Sequence, residues 1–118
     1  MNKNIEKLVK IAYDAFADKK GIDIKILKIS NISTIADYFV IVTGNNPSQV
    51  RALQDNAEEQ LAKNGFRPSR IEGVKNSNWV LMDYSDVILH VFPTEDREFY
   101  NLDHIWKDAE VISRDSLN

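Results

Sequence analysis

Tyr38-Phe39-Val40-Ile41-Val42-Thr43-Gly44-Asn45-Asn46-Pro47-Ser48-Gln49-Val50 decides how this chain folds. The run Tyr38–Val42 is continuously apolar, which suits a central strand covered on both faces, expected over roughly Ala36–Thr43. After Gly44, Asn46 is a good N-cap, Pro47 fits the first helical position, and Gln49 completes a capping-box spacing. Val50, Leu53, Ala57 and Leu61 then line one helical face, and Gly65 ends the helix. A strand, a glycine and a capped amphipathic helix therefore stand in direct succession.

Towards the N-terminus, Ile5, Leu8, Val9, Ala12 and Phe16 keep the spacing of a helix with one buried stripe, over about residues 3–20. Lys19 and Lys20 suit its C-terminus and Gly21 can supply a left-handed stop. Ile22, Ile24 and Ile26 alternate with Asp23 and Lys25 as in a half-buried strand. The alternation slips at Ile26-Leu27, which predicts a bulge or a switch to burial on both faces. Towards the C-terminus, residues 66–78 are polar, with a short strand expected near Arg67–Ile71 and a loop after it. Trp79–Asp83 and Val87–Phe92 read as an antiparallel hairpin around Asp83-Tyr84-Ser85-Asp86. Glu95–Val111 reads as one or two short helices, with Phe99, Leu102 and Trp106 on a core-facing spacing. The order α-β-β-α-β-β-β-α predicts an α/β sandwich: one domain over residues 1–118, with a mixed five-stranded sheet flanked by helices and a less ordered tail at 109–118.

Composition removes several chemistries. There is no cysteine, so disulfides, thiolate metal sites and thiol nucleophiles are excluded. No apolar leader and no run of 18 apolar residues is seen, so the expected location is the cytoplasm, with no membrane partner. The net charge of −3 argues against direct binding to a nucleic-acid backbone, and RNA contact is expected to be minor at most. The charge is uneven: residues 1–82 hold 12 Lys/Arg against 9 Asp/Glu, whereas residues 83–118 hold 3 against 9. An acidic end can steer the chain to a basic partner; it also serves plain solubility.

Catalytic patterns are weak. Gly44 between strand and helix is compatible with a phosphate-binding turn, but neither a spaced glycine fingerprint nor a Walker lysine accompanies it, and a helix cap explains it better. Asp83 and Asp86 could hold a divalent metal if their carboxylates converged, yet they span a hairpin turn, where Asp is ordinary. His90 and His104 form no ligand pattern, and no nucleophile elbow surrounds a serine. No cofactor and no metal is expected.

The hairpin is more informative. A four-residue turn places Met82 opposite Val87, Leu81 opposite Ile88, Val80 opposite Leu89 and Trp79 opposite His90. One face then carries Val80, Met82, Val87, Leu89 and Val91. The other carries Trp79, Leu81, Asp83, Ile88 and His90, the mixture of a protein-binding patch. The pattern leaves open whether a helix covers that second face instead.

Four ordered blocks resemble the ribosomal silencing factor (Iojap-like) family, covering about residues 5–108. They are Ile35-Ala36-Asp37-Tyr38-Phe39-Val40-Ile41; Gly44 followed by Ser48-Gln49-Val50 and Ala52; Trp79 through Phe92; and Glu95, Arg97, Phe99-Tyr100, Leu102-Asp103 and Ile105-Trp106. Lys28 and Asn46-Pro47 depart from the family's usual residues, and the segment after Ala109 is unmatched. The resemblance implies a translational repressor, active under nutrient limitation and in stationary phase, with no enzymatic activity and a nucleotidyltransferase-like topology. It implies binding to large-subunit ribosomal protein fourteen on the large ribosomal subunit, which blocks subunit joining. It favours the Trp79 face as the contact, through Trp79, Leu81, Asp83, Tyr84, Asp86, Ile88 and His90. Relatives can also pair as homodimers. Glu95, Arg97 and Tyr100 fit either a contact or a purely structural role. The competing readings are a metal-dependent nucleotidyltransferase using the Gly44 turn with Asp83 and Asp86, and a direct RNA binder.

Overall fold

The computed structural model describes residues 3–73, 79–94 and 107–117. In chain order these form α1 (Lys3–Asp18), β1 (Ile22–Lys28), β2 (Tyr38–Gly44), α2 (Pro47–Lys63), β3 (Arg70–Gly73), β4 (Val80–Asp83), β5 (Val87–Pro93) and β6 (Glu110–Ile112), then a 3-10 turn at Arg114–Ser116. The strands make one sheet in the order β3-β4-β5-β2-β1-β6. β2 and β5 run parallel and every other neighbouring pair is antiparallel. The expected mixed α/β sheet is present, with six strands in place of five.

The continuous apolar run of β2 is buried on both faces, as a central strand requires. Val40 and Val42 join Leu8, Val9, Phe16, Leu53 and Leu61 in a core beneath the two helices. Phe39 and Ile41 point the other way, into a second cluster with Leu27, Ile29, Ala36, Phe92 and Ala109. β1 switches to two-sided burial at Ile26 and Leu27, which enter opposite clusters. Its bulge lies earlier, between Ile22 and Lys25, where Asp23 takes φ 55°.

The helix ends follow from named hydrogen bonds. Asn46 Oδ1 accepts from the Gln49 amide at 2.8 Å, capping α2. The Gln49 side chain accepts from Asn45 N at 2.6 Å and donates to Lys20 O at 2.8 Å, so it also joins the start of α2 to the end of α1. α2 closes as the sequence predicts: Gly65 sits at φ 88°, and Phe66 N and Gly65 N donate to Leu61 O and Ala62 O. α1 closes with the same bonds, Gly21 N to Phe16 O and Lys20 N to Ala17 O, but the left-handed residue is Lys20 at φ 61°. Gly21 is required by space instead. A Cβ there would lie 2.4 Å from Val42 Cγ2 and 3.1 Å from Leu53 Cδ2.

The C-terminal segment differs from expectation. The helices expected over Glu95–Val111 fall mostly outside the described residues, and Glu110–Ile112 is a strand paired with Ile26–Lys28. Residues 109–117 are built into the fold rather than trailing from it: Leu117 is buried in the helix-side core. Arg114 holds the Asp14 carboxylate of α1 with two bonds of 2.9 and 2.7 Å.

Three substitutions test these assignments by urea unfolding. Gly21→Ala should cost about 1–3 kcal/mol through overpacking. Gly65→Ala, whose new Cβ meets nothing within 4 Å, should cost only the left-handed penalty of roughly 1–2 kcal/mol. Leu117→Ala should cost about 2–3 kcal/mol, whereas a residue in an unpacked tail would cost nothing.

Candidate protein-docking surface

The β4–β5 hairpin turns more tightly than its sequence suggests. Tyr84 N donates to Val87 O at 2.9 Å, leaving Ser85 and Asp86 as a two-residue loop, with Ser85 at φ 72°. The register is therefore Asp83↔Ile88, Met82↔Leu89, Leu81↔His90 and Val80↔Val91. This is two residues away from the pairing that a four-residue turn implies. Because strand faces alternate with period two, that shift leaves every side chain on its expected face. Val80, Met82, Val87, Leu89 and Val91 meet the helix-side core, and Trp79 and Ile88 pack against the opposite cluster.

On that opposite face the ladder sets side chains in rows across the sheet. One row runs Asp83–Ile88–Phe39–Leu27–Val111 and the next Leu81–His90–Ile41–Lys25. The middle of each row is interior: Phe39, Leu27, Ile41 and His90 are buried. The accessible part lies along β4 and the hairpin turn, where Leu81, Asp83 and Ile88 are half-buried and Asp86 is exposed. Trp79 is half-buried directly before β4. Its ring meets Phe92 edge-on at 5.5 Å and lies 6.1 Å from the His90 ring.

Two expected contact residues are interior. His90 is 6% exposed and packs T-shaped on Phe39 at a centroid distance of 4.5 Å. Burial pushes its pKa down to about 3, so it is neutral under ordinary conditions. Tyr84 is 7% exposed in the helix-side core, and burial, with Glu58 nearby, pushes its phenol up to about 12. Sequence alternation placed His90 on the correct face but carried no signal of depth. Tyr84 read as a turn tip because the turn was taken to be longer than it is.

Each aspartate has a structural task at the turn. Asp83 Oδ1 accepts from Ser85 N at 2.8 Å, stabilising the turn, and Oδ2 lies 3.6 Å from Arg70 Nε on β3. The Asp86 carbonyl accepts from the amides of Asp37 and Tyr38 at 2.8 and 3.2 Å. Among the described residues no three His, Asp or Glu side chains are grouped to hold a metal. Gly44 serves close packing: a Cβ there would lie 2.9 Å from Val50 Cγ2 and 3.1 Å from Val50 N. Glu95, Arg97 and Tyr100 lie outside the described residues.

A half-buried aromatic fixed by ring contacts, flanked by aliphatics and acids on one face of the sheet, is suited to recognising another macromolecule. Residues 2–118 match the family described as ribosomal silencing factor during starvation, including the segment beyond Ala109 that the sequence blocks left unmatched. The chain belongs to the ribosomal silencing factor family.

It is 39% identical over 112 residues to the ribosomal silencing factor RsfS of Bacillus subtilis, covering 95% of each chain. It is also 26% identical over 98 residues to the chloroplastic protein Iojap of Zea mays, covering 83% of this chain and 42% of that one. Two crystal structures share the fold. A protein from Chromobacterium violaceum superposes with a TM-score of 0.81 at 30% identity, covering 91% of this chain and 88% of that one. One from Bacillus halodurans gives 0.77 at 33% identity, covering 91% and 97%. Membership places this silencing factor among regulators of translation. Among its described residues no helix is long and apolar enough to cross a membrane.

The buried imidazole gives the fold a pH signature. The folded pKa lies below the ordinary value of 6.5, so the unfolded chain takes up the proton first as pH falls. The stability is full above about pH 6.5 and is lost progressively from there towards pH 3. Between pH 7 and pH 5 the loss attributable to His90 should be about 2 kcal/mol, measured by urea titration at each pH. His90→Gln should flatten that part of the profile; an unchanged slope would assign it to other groups.

Proposed function

We propose that this silencing factor binds large-subunit ribosomal protein fourteen on the large ribosomal subunit and blocks the small subunit from joining, damping translation when nutrients are short. The observation that carries this reading is the family match over residues 2–118. The surface along β4 and the hairpin turn supplies a physical means. Trp79 is the aromatic anchor, with Leu81 and Ile88 beside it and Asp86 exposed at the turn. Phe92 and His90 already hold the Trp79 ring, so little side-chain freedom is left to lose on docking.

The mechanism is steric. A specific interface of on the order of 1,200–2,000 Å² in total suffices to seat the protein. Once seated, a body with principal extents of 37 × 32 × 25 Å needs only to overlap one intersubunit contact. No bond is made or broken, and no metal or cofactor enters. The exposed Asp86 at the turn favours a basic partner and acts mainly on the association rate. The Asp83 contacts to Ser85 and Arg70 give the nucleotidyltransferase reading no support.

Cosedimentation with separated subunits tests the proposal, with subunit joining scored in the same gradients. Comigration with the large subunit and reduced joining are expected. Trp79→Ala should weaken binding by about 2–4 kcal/mol. Because Trp79 also packs inside the chain, Asp86→Lys provides an exposed second probe, expected to slow association most at low salt. Failure to comigrate with either subunit would remove the reading. Normal binding by both folded variants would move the contact to another surface.

A further inference from the structure

The connection between β1 and β2, residues 29–37, carries two of the four large apolar side chains exposed among the described residues: Ile32 at 53% and Ile35 at 66%. Single exposed aliphatics are ordinary on a protein surface. These two sit on a loop that is fastened along its whole length. Ile29 N donates to Asp37 O at 2.9 Å and closes the base. Ile32 N and Ser33 N both donate to Ile29 O, at 3.0 and 2.9 Å, and Ile35 N donates to Ser33 Oγ at 3.2 Å. Asp37 N and Tyr38 N donate to Asp86 O, which ties the loop to the β4–β5 turn. Ile29 and Ala36 are buried in the cluster against which Trp79 and Ile88 pack. The loop thus gives the core two of its own apolar residues and still leaves two isoleucines in water. On a fixed backbone, stiff β-branched side chains have little freedom to lose in a contact.

The geometry points to Ile32 and Ile35 as a second apolar contact of the docking surface, seated against the same ribosomal protein as Trp79, Leu81 and Ile88. This rests on the docking reading above. Continuity supports that occupant: Asp37 and Asp86 are joined one step before the Tyr38↔Val87 pair, and Ile88↔Phe39 follows. The loop and the hairpin turn are therefore neighbours along one end of the sheet. Charge supports it too. Between the two apolar groups lie Asp37 and Asp86, a pattern suited to a basic partner with apolar recesses. A second copy of this chain, with its net charge of −3, fits that pattern less well.

Solution binding of the full chain to purified large subunits tests this with Ile32→Asp/Ile35→Asp, Trp79→Ala and a control, Arg51→Glu, an exposed residue of α2 on the helix side whose substitution makes the same change of two charges. The double variant should bind at least about tenfold more weakly with an unchanged thermal melt, while the control stays within about twofold of wild type. Normal binding by the double variant, with Trp79→Ala weakened, overturns the loop contact and leaves the docking reading standing. Equal loss in Arg51→Glu also overturns it, because the effect is then one of added charge. A wild-type chain that does not bind overturns both readings. Sedimentation velocity covers the remaining occupant: a double variant that dissociates a dimer yet binds subunits normally assigns the loop to self-association and overturns the proposal.

Discussion

The parallel pairing of β2 with β5 is the contact on which the rest of the molecule depends. Seven consecutive residues of each strand are in register, from Tyr38↔Val87 to Gly44↔Pro93. The two strands are buried along most of their length, and their alternating side chains feed both apolar clusters. A parallel pair cannot be closed by a short turn. The chain between the two strands accordingly makes α2 and the antiparallel strands β3 and β4 before it returns. Gly44 lets that route begin, because the backbone there approaches Val50 too closely for a side chain. The Asp86 carbonyl, just before β5, then accepts the two amides that bring in β2. The candidate docking surface and the Ile32–Ile35 loop both hang from this pair.

The legible parts of the fold were those governed by strong local rules. The two-sided burial of β2, the Asn46–Pro47 cap and the Gly65 stop each follow from the preference of one residue type for one geometry. At the end of α1, Gly21 also marked the boundary, but the reason was different: Lys20 takes the left-handed backbone and Gly21 makes room for Val42. Non-local rules were less visible. Glu110–Ile112 becomes a strand because β1 offers an open edge, a property of the assembled sheet and not of those three residues. The tight Ser85-Asp86 loop needs a positive φ at Ser85, which the sequence does not advertise as glycine would. For the candidate surface, period-two alternation sorted Trp79, Leu81 and Ile88 onto one face whatever the register. Depth was invisible to it, which is why His90 read as a surface residue.

That distinction shapes how the surface can work. The face that carries the candidate contacts is also the outer wall of a core. Phe39, Ile41, Phe92 and His90 fill its middle, and Trp79 and Ile88 sit at its margin with one side packed. A residue at such a margin contributes both to folding and to recognition. Loss of binding on truncating Trp79 therefore does not by itself locate an interface. Residues such as Asp86, Ile32 and Ile35, which are exposed on well-fastened backbone, separate the two effects because their side chains contribute little to the core.

The same rigidity suits the proposed mechanism, in which the protein acts by occupying space. A blocking mechanism needs a shape that does not yield when the competing surface arrives. Here the hairpin turn, the β1–β2 loop and the central strands are joined by backbone hydrogen bonds at Asp86, by the Asp83–Ser85 contact and by the ion pairing of Arg70 with Asp83. The Arg114–Asp14 pair fixes the far edge of the sheet to α1 in a similar way. Each exposed ion pair contributes little to stability alone. Their place at the ends of strands and turns restrains the periphery, where a contact would have to be resisted. At this end of the sheet the described polar groups bond locally, Asp83 to Ser85 and Arg70 and the Asp86 carbonyl to the amides of Asp37 and Tyr38, which holds the surface in shape.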